Sequence, residues 1–229
     1  MIAEALDLPS TALLPFFDTP QQHKLKLIEY PAPQISSSDA AAAADHGKNT
    51  DVQGVGPHQD SGFLTFLKQA TPHAGLEVQN KSGAWIPAPP IPETLVINIG
   101  RSLEVLTRGV CTATTHRVNL RPENFLHPET KEPLGPRFSF PVFQGVGIEL
   151  SAKQLEGLDI PLHIARLADD ENHRGVRSDA EATFNNTFRG HVGEGTFVAR
   201  VTSHQDVGRR WYPDLLDKAL SEQKKFKGH

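Results

Sequence analysis

The sequence has one cysteine, no long apolar run and no basic tract outside its last residues. Each shortage removes a class of protein. A lone Cys111 cannot close an internal disulfide, and it cannot build a thiolate zinc or iron–sulfur cluster. A structural thiol is the plainer reading of Cys111 than a catalytic one. No stretch approaches the ~20 apolar residues that span a bilayer. The opening MIAEALDLPSTALLPFF carries Glu4 and Asp7 where a secretory signal is basic, so no secretion is expected. Lys and Arg number 23 against 27 Asp and Glu, a formal net charge of −4, and only the terminal KKFKGH is basic. Nucleic acid is therefore not an expected partner. What remains is a cytoplasmic protein with no membrane partner, expected to act as a monomer, whose 229 residues suffice for a good core without a metal or disulfide staple.

Texture divides the chain into three regions. Residues 1–51 combine two short helical stretches, ended by Pro9 and Pro20, with KLKLIEYP, whose period-two alternation reads as a strand with Leu25 and Leu27 on one side. Residues 32–50, rich in Ser and Ala, read as a surface loop or disordered insertion. Residues 52–148 are short β-rich runs (FLTFL, LEVQ, AWIPA, TLVINIG, THRVNL, RFSFPVF) punctuated by Gly, Pro and Asn, a spacing that suggests a sandwich or barrel. LEVQNKSGAWIP looks like one hairpin turning at Ser82-Gly83. Residues 149–229 are more charged and largely helical, ending in the amphipathic RRWYPDLLDKALSEQKKF.

Eleven histidines invite a search for metal ligands, but chance alone supplies about one His-x-Asp in such a chain. There are two: His58-Gln59-Asp60 and His204-Gln205-Asp206. The first opens the β-rich region in GPHQDSGFLTFL, where residues i and i+2 of a strand share a face and can converge on one ion. His116, in the strand-like ATTHRVNL, can supply a third ligand. Two histidines and a carboxylate on one side of an ion form the facial triad of non-haem Fe(II), which leaves positions open for substrate and dioxygen. The second copy has no β-rich sequence after it and reads as a surface or capping element. His73, His127, His163, His173 and His191 read as surface or locally bonded residues. Beyond His116 lies Arg137-Phe138-Ser139, the one Arg-x-Ser in the sequence. Alternation puts Arg137 and Ser139 on one face, with Phe138, Phe140 and Val142 on the other. A forked guanidinium beside a hydroxyl suits a ligand carboxylate.

In this order, His58-x-Asp60, His116 and Arg137-x-Ser139 resemble the iron- and 2-oxoglutarate-dependent dioxygenases, in the branch related to isopenicillin N synthase and the plant flavonoid and gibberellin oxygenases. The likeness runs from about Leu25 to Val146 and includes GLEVQNKSGAWIPAPPIPETLVINIG and THRV. It implies a mainly β fold with flanking helices, a double-stranded β-helix or jelly-roll, cupin-like barrel. It further implies that His58, Asp60 and His116 hold Fe(II), that Arg137 and Ser139 bind 2-oxoglutarate, and that dioxygen is the second cosubstrate. Oxidative decarboxylation to succinate would be coupled to hydroxylation, desaturation or cyclisation of a small molecule of secondary metabolism.

The family's Asn-x-Tyr segment, which gives a tyrosine to the cosubstrate, is matched here by Ile28-Glu29-Tyr30. Tyr30 fits and Ile28 cannot hydrogen-bond. The interval between His116 and Arg137 is longer than usual and carries four prolines in RPENFLHPETKEPLGP, which reads as a rim insertion. The branch also carries a further N-terminal region, so residues 1–51 are expected to be a partial N-terminal segment. Two alternatives stay open: a non-catalytic or impaired truncated member of the same fold, and a zinc-dependent hydrolase using the same three ligands.

Overall fold

The computed structural model describes residues 1–18, 20–33, 53–155, 158–166 and 190–227. They fall into two compact units, one of His23–Leu103 and Thr112–Gln144, the other of Met1–Gln22, Glu104–Cys111 and Gly145–His229. Among the described residues no helix is long and apolar enough to cross a membrane.

The first unit is built of antiparallel strands: β1 Lys24–Leu25, β2 Ile28–Tyr30, β3 Gln53–His58, β4 Leu64–Gln69, β5 Leu76–Gln79, β6 Trp85–Pro87, β7 Val96–Ile99, β8 His116–Asn119 and β9 Arg137–Gln144. Five of them form one sheet in the order β1-β9-β4-β7, with β2 also on β9, and the other four form β3-β8-β5-β6. The expected hairpin is present: Val78 pairs with Ile86 and Gln79 with Trp85, and Gly83 takes the positive φ of 84° its turn needs. This is the jelly-roll fold the sequence implied. Its interior includes Tyr30, Phe63, Leu64, Leu76, Ala113, Val118 and Phe125, all buried, each large apolar one contributing roughly 1.5–3 kcal/mol.

Alternation is cleanest in β9. Arg137, Ser139 and Pro141 are buried, while Phe138 and Phe140 are half-buried and Val142 is exposed. β1 and β2 depart from the expected single strand. KLKLIEYP is two short pieces, Leu25 and Leu27 are both exposed, and Leu25 pairs with the outward Val142. Tyr30 is the buried residue of the segment, paired with Arg137. In β3 the register with β8 shifts twice, between Gln53 and Val55 and between Val55 and His58. Such bulges re-aim a strand end, and here they set His58 opposite His116.

The second unit is helical where it is described: α1 Ile2–Ala5, α3 Ala152–Leu155, α4 Val192–Ser203, α5 Gln205–Trp211 and α6 Pro213–Lys227. Leu6, Phe16, Leu106, Leu155 and Leu216 are among its buried residues. The first expected helix ends at Ala5, short of Pro9, and the second is a 3-10 turn over Leu14–Phe17. The C-terminal helix is broken at Tyr212, because Pro213 must begin a new one. His204 of the second His-x-Asp copy is the residue at which α4 ends and α5 starts, in keeping with a capping element. Most of the expected 32–50 loop lies outside the described residues.

The helix α2, Arg101–Leu106, straddles the division in sequence, and its start is tied to the loop after β3. The Arg101 amide donates to Asp60 O (2.8 Å) and the Ser102 amide to Gly62 O (3.1 Å). Gly100 permits this approach, because a Cβ there would run into the Gly62 carbonyl. Gly100→Ala should therefore push away the loop that carries Asp60 and cost about 1–3 kcal/mol of stability, measured as a lower denaturant midpoint at unchanged m-value.

Candidate active site

The cross-strand pair His58↔His116 places two imidazoles side by side, ring centroids 4.3 Å apart and tilted by 53°. Asp60 follows two residues after His58, and its Oδ1 lies 3.7 Å from His58 Nε2 and 3.8 Å from His116 Nε2. One ligand atom from each residue lies within 4.8 Å of the others. Asp60 is buried, His116 half-buried and His58 exposed, so the cluster is closed beneath and open on one side.

What surrounds these atoms aims them. His58 Nδ1 lies 2.8 Å from Gly56 O and His116 Nδ1 lies 3.0 Å from Thr114 O. A carbonyl can only accept, so both rings carry their proton on Nδ1 and turn an Nε2 lone pair to the shared space. Asp60 Oδ2 accepts from Thr65 Oγ1 (2.6 Å) and Asn98 Nδ2 (2.8 Å). Thr65 and Asn98 are a cross-strand pair of β4 and β7, so the five-stranded sheet fixes one carboxylate oxygen and leaves Oδ1 to the histidines. Gln59 bonds the loop on both sides, donating to Ala113 O (2.8 Å) and accepting from Arg101 Nε (2.8 Å). It thereby ties the His58-Asp60 loop to the approach of His116.

Arg137 and Ser139 are both buried, as alternation required, and Arg137 is only 2% exposed. Its guanidinium carbon stands 5.0 Å from the Tyr30 ring centroid, Nη2 is 3.5 Å from Gln69 Oε1, and the buried Nη1 has no hydrogen-bond partner. Burial pulls its pKa below the ordinary value, while the neighbouring Tyr30 phenol acts in the opposite direction. Ile28, in the place of the family's asparagine, pairs with Ser139.

Thr65, Asn98, Gln59 and Gln69 were not singled out from the sequence. A signal existed: Asn98 interrupts the apolar VINI, and a ligating carboxylate needs a donor for its second oxygen. His73 is a correction. It is no surface residue but 1% exposed, with Nε2 3.0 Å from Gly135 O, 62 residues away. Of the aromatics in the strand unit, Phe63 is buried, Phe66 is half-buried, and Trp85 lies under Arg117, whose guanidinium carbon is 4.2 Å from its ring centroid. His127 is bonded locally, by the Glu129 and Thr130 amides, whereas His163 and His191 are exposed and bond to Asp7 and to the Glu149 carbonyl, distant in sequence; His173 lies outside the described residues.

Fold and site together define a jelly-roll protein with two histidines and a carboxylate converging, and a buried arginine in the same unit. The chain belongs to the 2OG-Fe(II) oxygenase superfamily, whose family model matches residues 29–145. Among curated proteins it is 41% identical over 227 residues to a 2-oxoglutarate-dependent dioxygenase of Gibberella zeae, covering 99% of this chain and 56% of that one. It is likewise 41% identical over 233 residues to the 2-oxoglutarate-dependent dioxygenase frbJ of a Dothideomycetidae species, covering 100% and 57%. The chain thus spans a little over half the length of these relatives. Among solved structures it resembles a full-length Neurospora crassa protein in complex with alpha-KG and thymine, at 27% identity and a TM-score of 0.50, over 65% of this chain and 40% of that one.

Two predictions follow from the geometry. Replacing Thr65 by Val together with Asn98 by Leu should weaken divalent metal binding about tenfold or more, read by anaerobic Fe(II) titration, while the circular dichroism spectrum stays that of the parent. The second concerns His73, whose pKa is lowered from 6.5 chiefly by burial, with the Arg137 charge adding to it and the bond to Gly135 opposing it. As pH falls through 6.5 the unfolded chain takes up this proton before the folded one does, so stability declines below that pH. In His73→Gln the drop in thermal midpoint on acidification should be smaller.

Proposed function

We propose that this chain is a non-haem Fe(II) dioxygenase that couples oxidative decarboxylation of 2-oxoglutarate to succinate with oxidation of a small organic molecule. The observation that carries the reading is a metal-type donor set and a buried arginine with no carboxylate paired to it among the described residues, both in the strand unit. The residues fit the implied ion. Two Nε2 lone pairs and one carboxylate oxygen are presented together, and each ligand's remaining polar atom is already bonded elsewhere, as a preorganised site requires. His58, Asp60 and His116 would hold the iron on one face and leave its other positions to cosubstrate and dioxygen. When bound, iron and 2-oxoglutarate supply the redox chemistry.

Arg137 receives the distal carboxylate of 2-oxoglutarate. A guanidinium at this burial with no anion among the described residues is costly, and a ligand anion offsets that cost. Ser139, two residues on along the buried face of β9, adds a hydroxyl donor, and Tyr30 covers the guanidinium and keeps water from it. Residues 52–148 form the catalytic core in this reading, residues 149–229 a helical extension. A zinc hydrolase would leave Arg137 without a task. We further propose a monomer working in secondary metabolism. Both 41%-identical relatives are named as dioxygenases of the same cosubstrate, and the shorter match to a homoarginine-6-hydroxylase of Glycine max, 48% identical over 94 residues, favours a polar small molecule as a first substrate class to assay.

Anaerobic Fe(II) with 2-oxoglutarate should develop the weak visible charge-transfer band of the chelate, and the band should be lost in His58→Ala and in Asp60→Ala. Its persistence in either would remove the ligand assignment. Arg137→Ala should weaken 2-oxoglutarate binding by about 2 kcal/mol or more and leave Fe(II) affinity intact, as followed by calorimetry. Succinate release in air, with and without candidate substrates, tests turnover itself.

A further inference from the structure

We propose that His73 is a positioning residue for the cosubstrate clamp: by holding the carbonyl of Gly135 it fixes the start of β9 and so the reach of Arg137. The inference rests on the reading of Arg137 given above. Arg137 is the first residue of β9, and it follows Gly135, which has a positive φ of 74° and open space where a Cβ would stand. Hydrogen bonds from the segment after β4 hold this stretch, at Gly135 and again at Phe138. The Ala70 amide donates to Phe138 O (3.1 Å), the Phe138 amide donates to Thr71 Oγ1 (3.0 Å), and His73 Nε2 lies 3.0 Å from Gly135 O. These three bonds bracket Arg137 from both sides.

Because Gly135 O accepts, His73 carries its proton on Nε2, and Nδ1 is left as a buried lone pair with no hydrogen-bond partner. An unsatisfied buried nitrogen is destabilising, a cost that a phenyl ring at this place would avoid. The imidazole thus gives up stability for one bond to the Gly135 carbonyl. The ring cannot swing to find another partner, since its edge meets the Phe125 ring at 5.1 Å, and the Leu134 amide is bonded to Phe125 O (2.9 Å). The guanidinium has side-chain support from Gln69 at 3.5 Å and from Tyr30, through its ring face and its phenol hydrogen bond, and the backbone beneath it decides whether that support is in reach. Its aim is therefore set through the backbone, where a displacement of about 1 Å is enough to spoil a ligand contact.

The test is 2-oxoglutarate binding to the anaerobic Fe(II)-loaded chain by calorimetry, alongside Fe(II) affinity and amide exchange at Phe138. His73→Phe should lower 2-oxoglutarate affinity about tenfold, speed exchange at Phe138, and leave Fe(II) affinity within about twofold. His73→Gln, whose amide can donate to the same carbonyl, should restore binding. Parent-like 2-oxoglutarate affinity in His73→Phe, or equal loss of cosubstrate and metal affinity, overturns the proposal. If His73→Phe does not fold, Thr71→Val decides, because it removes the neighbouring bond to Phe138. A several-fold loss of 2-oxoglutarate affinity is expected there, and none would contradict it. Failure of the clamp reading is distinct: the parent and Arg137→Ala would then bind 2-oxoglutarate equally or not at all.

Discussion

A carboxylate that is 6% exposed must have its oxygens satisfied, and the way Asp60 meets that requirement organises the site. One oxygen is fixed by Thr65 and Asn98 from the five-stranded sheet, and the other is turned to His58 and His116 from the four-stranded sheet. Each feature around it serves the same convergence. Bulges in β3 bring His58 opposite His116, Gly100 lets the start of α2 hold the Asp60 loop by its carbonyls, and Gln59 spans the loop and the approach to His116. Without the Thr65 and Asn98 donors, Asp60 could rotate and present either oxygen, and the ligand set would lose its geometry.

Arg137 is the electrostatic counterpart. Asp60 is buried with imidazoles around one oxygen, while Arg137 is buried with an aromatic face, a distant amide and one guanidinium nitrogen without a hydrogen-bond partner. Buried charges are ordinarily paired, which is what supports the proposal that a ligand anion completes this site. In the proposed reading, a dicarboxylic keto acid would give one carboxylate to the arginine and leave the other to the residues that would hold iron. The cost of keeping Arg137 ready falls on its supports, Tyr30 and the β4-to-β5 segment that includes His73.

Most of the site was legible because its signals are local. His-x-Asp does not obey strand periodicity, because β3 ends at His58 and Asp60 lies in the loop that follows; Arg-x-Ser does, and that periodicity alone placed Arg137 and Ser139 on one face with Phe138, Phe140 and Val142 opposite. The hairpin at Ser82-Gly83 was legible for the same reason. What the sequence hid was long-range. Thr65 and Asn98 matter only because β4 lies beside β7, and His73 was misread because its partner, Gly135, is 62 residues away. The split of KLKLIEYP into β1 and β2 follows from pairing with β9, which turns Leu25 outward beside Val142. The break at Tyr212-Pro213 was visible in the sequence, yet amphipathic spacing ran straight across it.

The most direct measurement is a crystal structure of the chain grown anaerobically with Fe(II) and 2-oxoglutarate, with diffraction recorded across the iron edge. An anomalous peak between His58 Nε2, Asp60 Oδ1 and His116 Nε2, with a carboxylate seated on the Arg137 guanidinium, is the expected result. Iron bound elsewhere, or a fully loaded metal site with no anion at Arg137, would contradict it.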